Sequence, residues 1–112
     1  MHYEIVLGPS FKRSVKVLKK RFPSVTRDVE LAIEVLLENP HLGAVIPGSS
    51  GVRKIRIKNS DLTRGKSGGY RMLYYIEDQE RQCLYLLLLY AKADRENITL
   101  REIQQLLQEF QE

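Results

Sequence analysis

Apolar residues recur along this chain with two periods, and the switches between them divide it into elements. From His2 to Leu7 the period is two, with Tyr3, Ile5 and Leu7 on one face, which predicts a short strand. Gly8-Pro9-Ser10 breaks it. Phe11, Val15 and Leu18 then fall at helical spacing and predict a helix from Pro9 or Ser10 to about Phe22. Pro23-Ser24 interrupts, and Val25, Val29, Ala32, Ile33, Leu36 and Leu37 form the stripe of a second helix ending near Glu38, before Asn39-Pro40. Two amphipathic helices joined by so few residues predict an antiparallel hairpin.

Leu42 to Gly51 is rich in Gly, Pro and Ser and reads as loop. Three strands are expected after it: Val52–Lys58, Tyr70–Glu77 and Gln82–Ala91, with a turn at Asp78–Arg81 and a longer connection from Asn59 to Gly69. Leu84, Leu86 and Leu88 alternate with Tyr85, Leu87 and Leu89, so the last strand is apolar on both faces and is expected to be central and covered on both sides. Thr99-Leu-Arg-Glu102 has the form of a capping box and opens a final helix to about Phe110, with Ile103, Leu106, Leu107 and Phe110 apolar. The order β-α-α-β-β-β-α predicts one α+β domain over residues 1–112: an N-terminal strand and two-helix hairpin packed on a small antiparallel sheet, with a C-terminal helix.

Charge adds a location to this outline. Seven basic residues and one acid lie between Gly48 and Arg71, more net charge than the +4 of the whole chain. They are Arg53, Lys54, Arg56, Lys58, Arg64, Lys66 and Arg71, against Asp61. Such a cluster on strands attracts phosphodiesters, and it equally fits a cationic edge that keeps sheets from aggregating. Cys83 is the sole cysteine, so no intrachain disulfide is possible, and a reducing compartment is natural. The first residues lack the features of a signal peptide, and Leu84–Tyr90 is too short to span a bilayer, so a cytoplasmic protein without membrane contact is expected. His2 and His41 have no partners at metal-ligand spacing, and Gly65-Lys-Ser-Gly-Gly69 lacks the spacing of a phosphate loop; no metal or cofactor is expected.

Chemistry here would therefore rest on Lys, Arg and Tyr. RNA cleavage can, because the RNA's own 2′-hydroxyl serves as nucleophile; a base, cations at the phosphate and a proton donor suffice. Cationic neighbours lower a lysine's pKa toward that of a base, and arginines grip phosphate oxygens. Strand alternation puts Lys54, Arg56 and Lys58 on one face and Arg53, Ile55 and Ile57 on the other. Lys54, Arg56, Arg71 and Lys92 are expected to converge at one sheet edge, with Lys66 delivered by the loop. Tyr90 lies near that edge and fits either packing or RNA contact; Tyr74 and Tyr75 read as core, and the first-helix lysines as a solvated face.

Four stretches, Val52–Ile57, Gly65–Tyr75, Leu86–Lys92 with Ala93–Asn97, and Leu100–Ile103, together resemble the RelE/ParE superfamily of toxins. The match is to its RelE/HigB branch, which carries G-K-x-G-G-x-R and, later, Y-A-K. The resemblance implies a toxin of a type II toxin–antitoxin system, a ribosome-dependent, metal-free mRNA endonuclease, with a cognate antitoxin protein and mRNA on the ribosome as partners. It implies catalytic roles for Lys54, Arg56, Lys66, Arg71 and Lys92; Arg53, Lys58, Arg64 and Tyr90 are added as RNA-binding candidates. RelE proper places a functional tyrosine near its C-terminus, and this chain has none after Tyr90, which leaves the proton donor open. The alternative within the superfamily is a ParE-like inhibitor that binds DNA gyrase without chemistry.

Overall fold

The computed structural model describes residues 2–62 and 68–111. Its elements are β1 (Glu4–Leu7), α1 (Pro9–Lys19), α2 (Val25–Glu38), β2 (Ala44–Val45), β3 (Arg53–Ile57), β4 (Tyr70–Glu77), β5 (Cys83–Ala91) and α3 (Leu100–Gln108). They form an α+β fold around one sheet in the order β1-β5-β4-β3-β2. The α+β architecture follows the sequence pattern, with two corrections. The sheet is mixed, because β1 runs parallel to β5; the α1–α2 hairpin carries the chain over one face before β3 begins, so β1 is left free to flank the last strand. The expected loop after Leu42 also holds β2, antiparallel to the start of β3.

Helices cover both faces. Phe11, Leu18, Val25, Val29 and Leu36 of α1 and α2 pack on Ile57, Tyr70, Met72, Tyr74, Leu84, Leu86 and Leu89. On the other face Ile103 and Leu106 of α3 pack on Val52, Leu73, Leu87 and Tyr90. β5 is thus central and covered on both sides, as its double apolar pattern predicts. The capping box is present: Glu102 N–H donates to the Thr99 hydroxyl at 3.1 Å, and Thr99 N–H donates to the Glu102 carboxylate at 3.0 Å.

The alternation along β5 does not run through. Leu73 pairs with Leu88 but Tyr74 pairs with Leu86, so Leu87 is an extra residue, a bulge. Leu87 and Leu88 both pack toward the α3 side, and Leu89 turns to the α1–α2 side. A bulge inverts every later position. Tyr90 consequently stands on the α3 face, directly beside Arg71.

Candidate nucleic-acid interface

Strand register assembles the site. Arg56 pairs with Arg71 across β3 and β4, and Arg71 pairs with Tyr90 across β4 and β5. Directly paired residues point to the same face. Arg56, Arg71 and Tyr90 therefore form a row across three strands, and Lys54 stands two positions along β3 on the same face, opposite Leu73. Arg56 is exposed and Lys54 half-buried, whereas Arg71 and Tyr90 are 7% and 6% exposed.

Arg71 is held from below. Its Nη1 donates to the carbonyl of Gly68 and, at 3.1 Å, to that of Tyr70. Its Nε and Nη2 form no hydrogen bond with the described residues. Gly68 and Gly69 both have positive φ, 110° and 53°. A Cβ on Gly69 would come within 2.4 Å of the Ile57 carbonyl oxygen, and one on Gly68 within 3.0 Å of Lys92 Cβ. The glycine pair thus lets the chain pass between the end of β3 and the start of the turn after β5. Lys92 N–H donates to the Gly69 carbonyl at 3.0 Å, so Lys92 sits against this knuckle next to Arg71.

Tyr90's hydroxyl is buried with no hydrogen-bond partner among the described residues. Burial raises its pKa, which Arg71 and Arg95 partly offset. Arg95 was not singled out by the sequence reading. Its guanidinium lies 5.8 Å from the Tyr90 ring centroid and donates to both Glu102 carboxylate oxygens at 2.9 and 3.0 Å. The available signal was its place four residues before Thr99, where an acid of the capping box comes within reach. Nearby, Arg21 in the turn between α1 and α2 pairs with Asp94 at 2.7 Å and fastens the turn carrying Lys92 to the helical hairpin.

The remaining candidates separate. Arg53 is on the opposite face, as alternation predicts, and its Nη1 donates to the carbonyls of His41 and Gly43 at 3.1 and 2.6 Å. It anchors the loop into β2 rather than joining the row. Lys58 is exposed just past β3. Arg64 and Lys66 lie outside the described residues. Among those described, no three His, Cys, Asp or Glu side chains gather where they would hold a metal ion, and no helix is long and apolar enough to cross a membrane.

No protein-family model matches the chain. Among solved structures, a double arginine-to-alanine variant of the E. coli toxin RelE in the free state matches it with a TM-score of 0.58 and 22% identity, covering 86% of this chain and 90% of that one. The chain has a RelE-like fold. Within that RelE-like fold, the row runs on the α3 face from Tyr90, packed under α3, through buried Arg71 to Arg56, which reaches solvent.

Proposed function

We propose that this protein is the toxin of a toxin–antitoxin pair, an endoribonuclease of the RelE/HigB type that cuts mRNA on the ribosome. The observation that carries the reading is the in-register row Arg56–Arg71–Tyr90, flanked by Lys54 and Lys92. A scissile phosphate seated on this face meets Arg56 from solvent and the unengaged edge of Arg71 from below. Both neutralise the charge that builds on phosphorus as the RNA 2′-hydroxyl attacks. Lys54, Lys66 and Lys92 are the candidates for taking the 2′-proton and returning one to the 5′-oxygen, and Tyr90, buried beside Arg71, backs the row. The products are a 2′,3′-cyclic phosphate and a 5′-hydroxyl, with no metal required by the chemistry.

Purified protein with programmed ribosomes tests the reading, with gyrase supercoiling measured alongside. Ribosome-bound mRNA is expected to be cut, with EDTA without effect and gyrase untouched. Arg56→Ala is the informative variant, because Arg56 is exposed, so its loss removes little packing. A loss of about a hundredfold in cleavage rate with an unchanged melting temperature is expected. Gyrase inhibition without cleavage would assign the protein to the ParE-like alternative; a fully active Arg56→Ala protein would remove the row from the mechanism.

A further inference from the structure

The α3 face of the sheet has a second end, away from the cationic row. Arg71 and Tyr90 lie at the start of β4 and the end of β5, whereas Tyr75 and Tyr85 pair toward the opposite ends of the same strands. The rings of Tyr75 and Tyr85 stand side by side, with centroids 6.4 Å apart and planes inclined by 38°. Phe110, just past α3, meets Tyr85 edge-on at 4.9 Å. All three rings are only half-buried. They line a cavity of about 270 Å³, together with Glu77 and Leu107.

This end of the molecule is acidic. Residues 72–112 hold eight acids and four bases. Glu77 stands two positions beyond Tyr75 on the same strand face. The amides of Gln79 and Glu80 donate to its Oε1 at 2.8 and 3.2 Å and hold its carboxyl below the ordinary range, so it is charged at neutral pH. Glu77 pairs with Cys83, and Cys83 with Glu4, so a second carboxylate belongs to the next row. The last carbonyls of α3 add partial negative charge where Leu107 and Phe110 line the cavity. Arg81 meets the cluster only at its rim, with Nη2 3.4 Å from the Tyr85 hydroxyl. Among the described residues, guanidinium groups lie over the rings of Phe22 and Tyr90, and none lies over these three.

We propose that this cavity binds a small organic cation with an alkylated ammonium head. Aromatic faces attract cations through their quadrupole, and the carboxylate of Glu77 adds a charge partner at the wall. An alkylated ammonium is weakly hydrated and carries methyl groups, so it loses little on leaving water and packs on the rings and on Leu107. A divalent metal would find one lining carboxylate and no other hard ligand of charge. An anion would meet Glu77 and the end of the α3 dipole. Because the walls come from β4, β5 and the end of α3, an occupant joins the sheet to the helix and holds α3 down. The proposal does not depend on ribonuclease activity, since the cavity lies at the other end of the strands from the cationic row.

Titration of the full chain with choline, followed by the ring resonances of Tyr75 and Tyr85, tests the site. Saturable shifts are expected, with a dissociation constant of about 1 mM. Amides of α3 are expected to exchange more slowly with choline bound. The uncharged isostere 3,3-dimethylbutan-1-ol is expected to bind at least tenfold more weakly. Glu77→Gln keeps an oxygen for the turn amides and removes the charge; it is expected to weaken choline severalfold while leaving the isostere unchanged. Tyr75→Leu is expected to abolish binding and Tyr75→Phe to retain it. Equal affinity for choline and its isostere, undiminished binding by Tyr75→Leu, or the absence of shifts at choline a hundredfold above that constant would each overturn the proposal.

Discussion

Two residues at the base of β4 show how local constraint shapes the site. Gly69 combines a left-handed backbone, which costs a non-glycine residue about 1–2 kcal/mol, with a Cβ position 2.4 Å from the Ile57 carbonyl oxygen. Gly51 shares the positive φ, but its Cβ would meet nothing nearer than Tyr75 at 3.5 Å. Gly69→Ala is therefore expected to lower the melting temperature clearly more than Gly51→Ala; the reverse order would mean that β3 gives way cheaply at Ile57. Tyr70, next in sequence, is fully buried, and its hydroxyl has no partner among the described residues. Burial, reinforced by Asp28 and Asp61, pushes its pKa up from 10.0 to about 12. The unfolded chain loses this proton near pH 10 and the folded protein only near 12, so folding keeps the proton and stability falls as pH rises between those values. Tyr70→Phe retains the edge-on contact with Phe22 and removes the unpaired hydroxyl. At neutral pH it is expected to be neutral or stabilising in chemical denaturation, and between pH 10 and 12 to lose less stability than the unaltered protein.

At the scale of elements, the period-two and helical patterns were enough to find three helices and four of five strands, because each buries a continuous stripe. What they missed has physical reasons. β2 is two residues long and exposed, so it carries no burial pattern. The parallel placement of β1 depends on where the helical hairpin lands. The bulge at Leu87 lies inside Leu86-Leu-Leu-Leu89, where every position is equally apolar and an inserted residue leaves no mark; yet it is what brings Tyr90 beside Arg71. The cations themselves were legible from charge and alternation, while Arg95 was not, since its role depends on Tyr90's final face. The upper half of β5 also lacks a strand on its β1 side, because β1 ends at Leu7 opposite Leu86. α1 substitutes there: the Ser14 hydroxyl accepts from Leu89 N–H at 3.1 Å and donates to the Phe11 carbonyl at 2.7 Å. Leu89 is almost wholly buried, so Ser14→Ala leaves its N–H without an acceptor. A loss of about 1–3 kcal/mol in denaturant unfolding is expected; a negligible loss would mean that water reaches this edge.

Across the whole molecule, the two cores are unequal. The core under α1 and α2 joins two helices and four strands, whereas the core under α3 rests on one helix of nine residues. α3 is fastened at both ends by charged contacts. At its start Arg95 holds Glu102, which also closes the capping box. At its end Glu109 accepts from the Ser10 hydroxyl and from Ser10 N–H at 3.2 Å, placing a carboxylate at the N-terminus of α1, where the helix dipole favours it. Phe110 then closes edge-on over Tyr85 at 4.9 Å, in the space that a side chain on Gly8 would fill. A short helix with a small apolar footprint opens at lower free energy than the sheet it covers. Amides of α3 are thus expected to exchange through local opening, while those of β4 and β5 exchange only with global unfolding. Glu109→Ala removes two hydrogen bonds to a charged group and is expected to speed α3 exchange by about tenfold or more while leaving β4 and β5 nearly unchanged. Equal acceleration in all three would show that α3 and the sheet unfold as one unit, and that the Ser10–Glu109 contact stabilises the entire fold rather than the covering of the Tyr90 face.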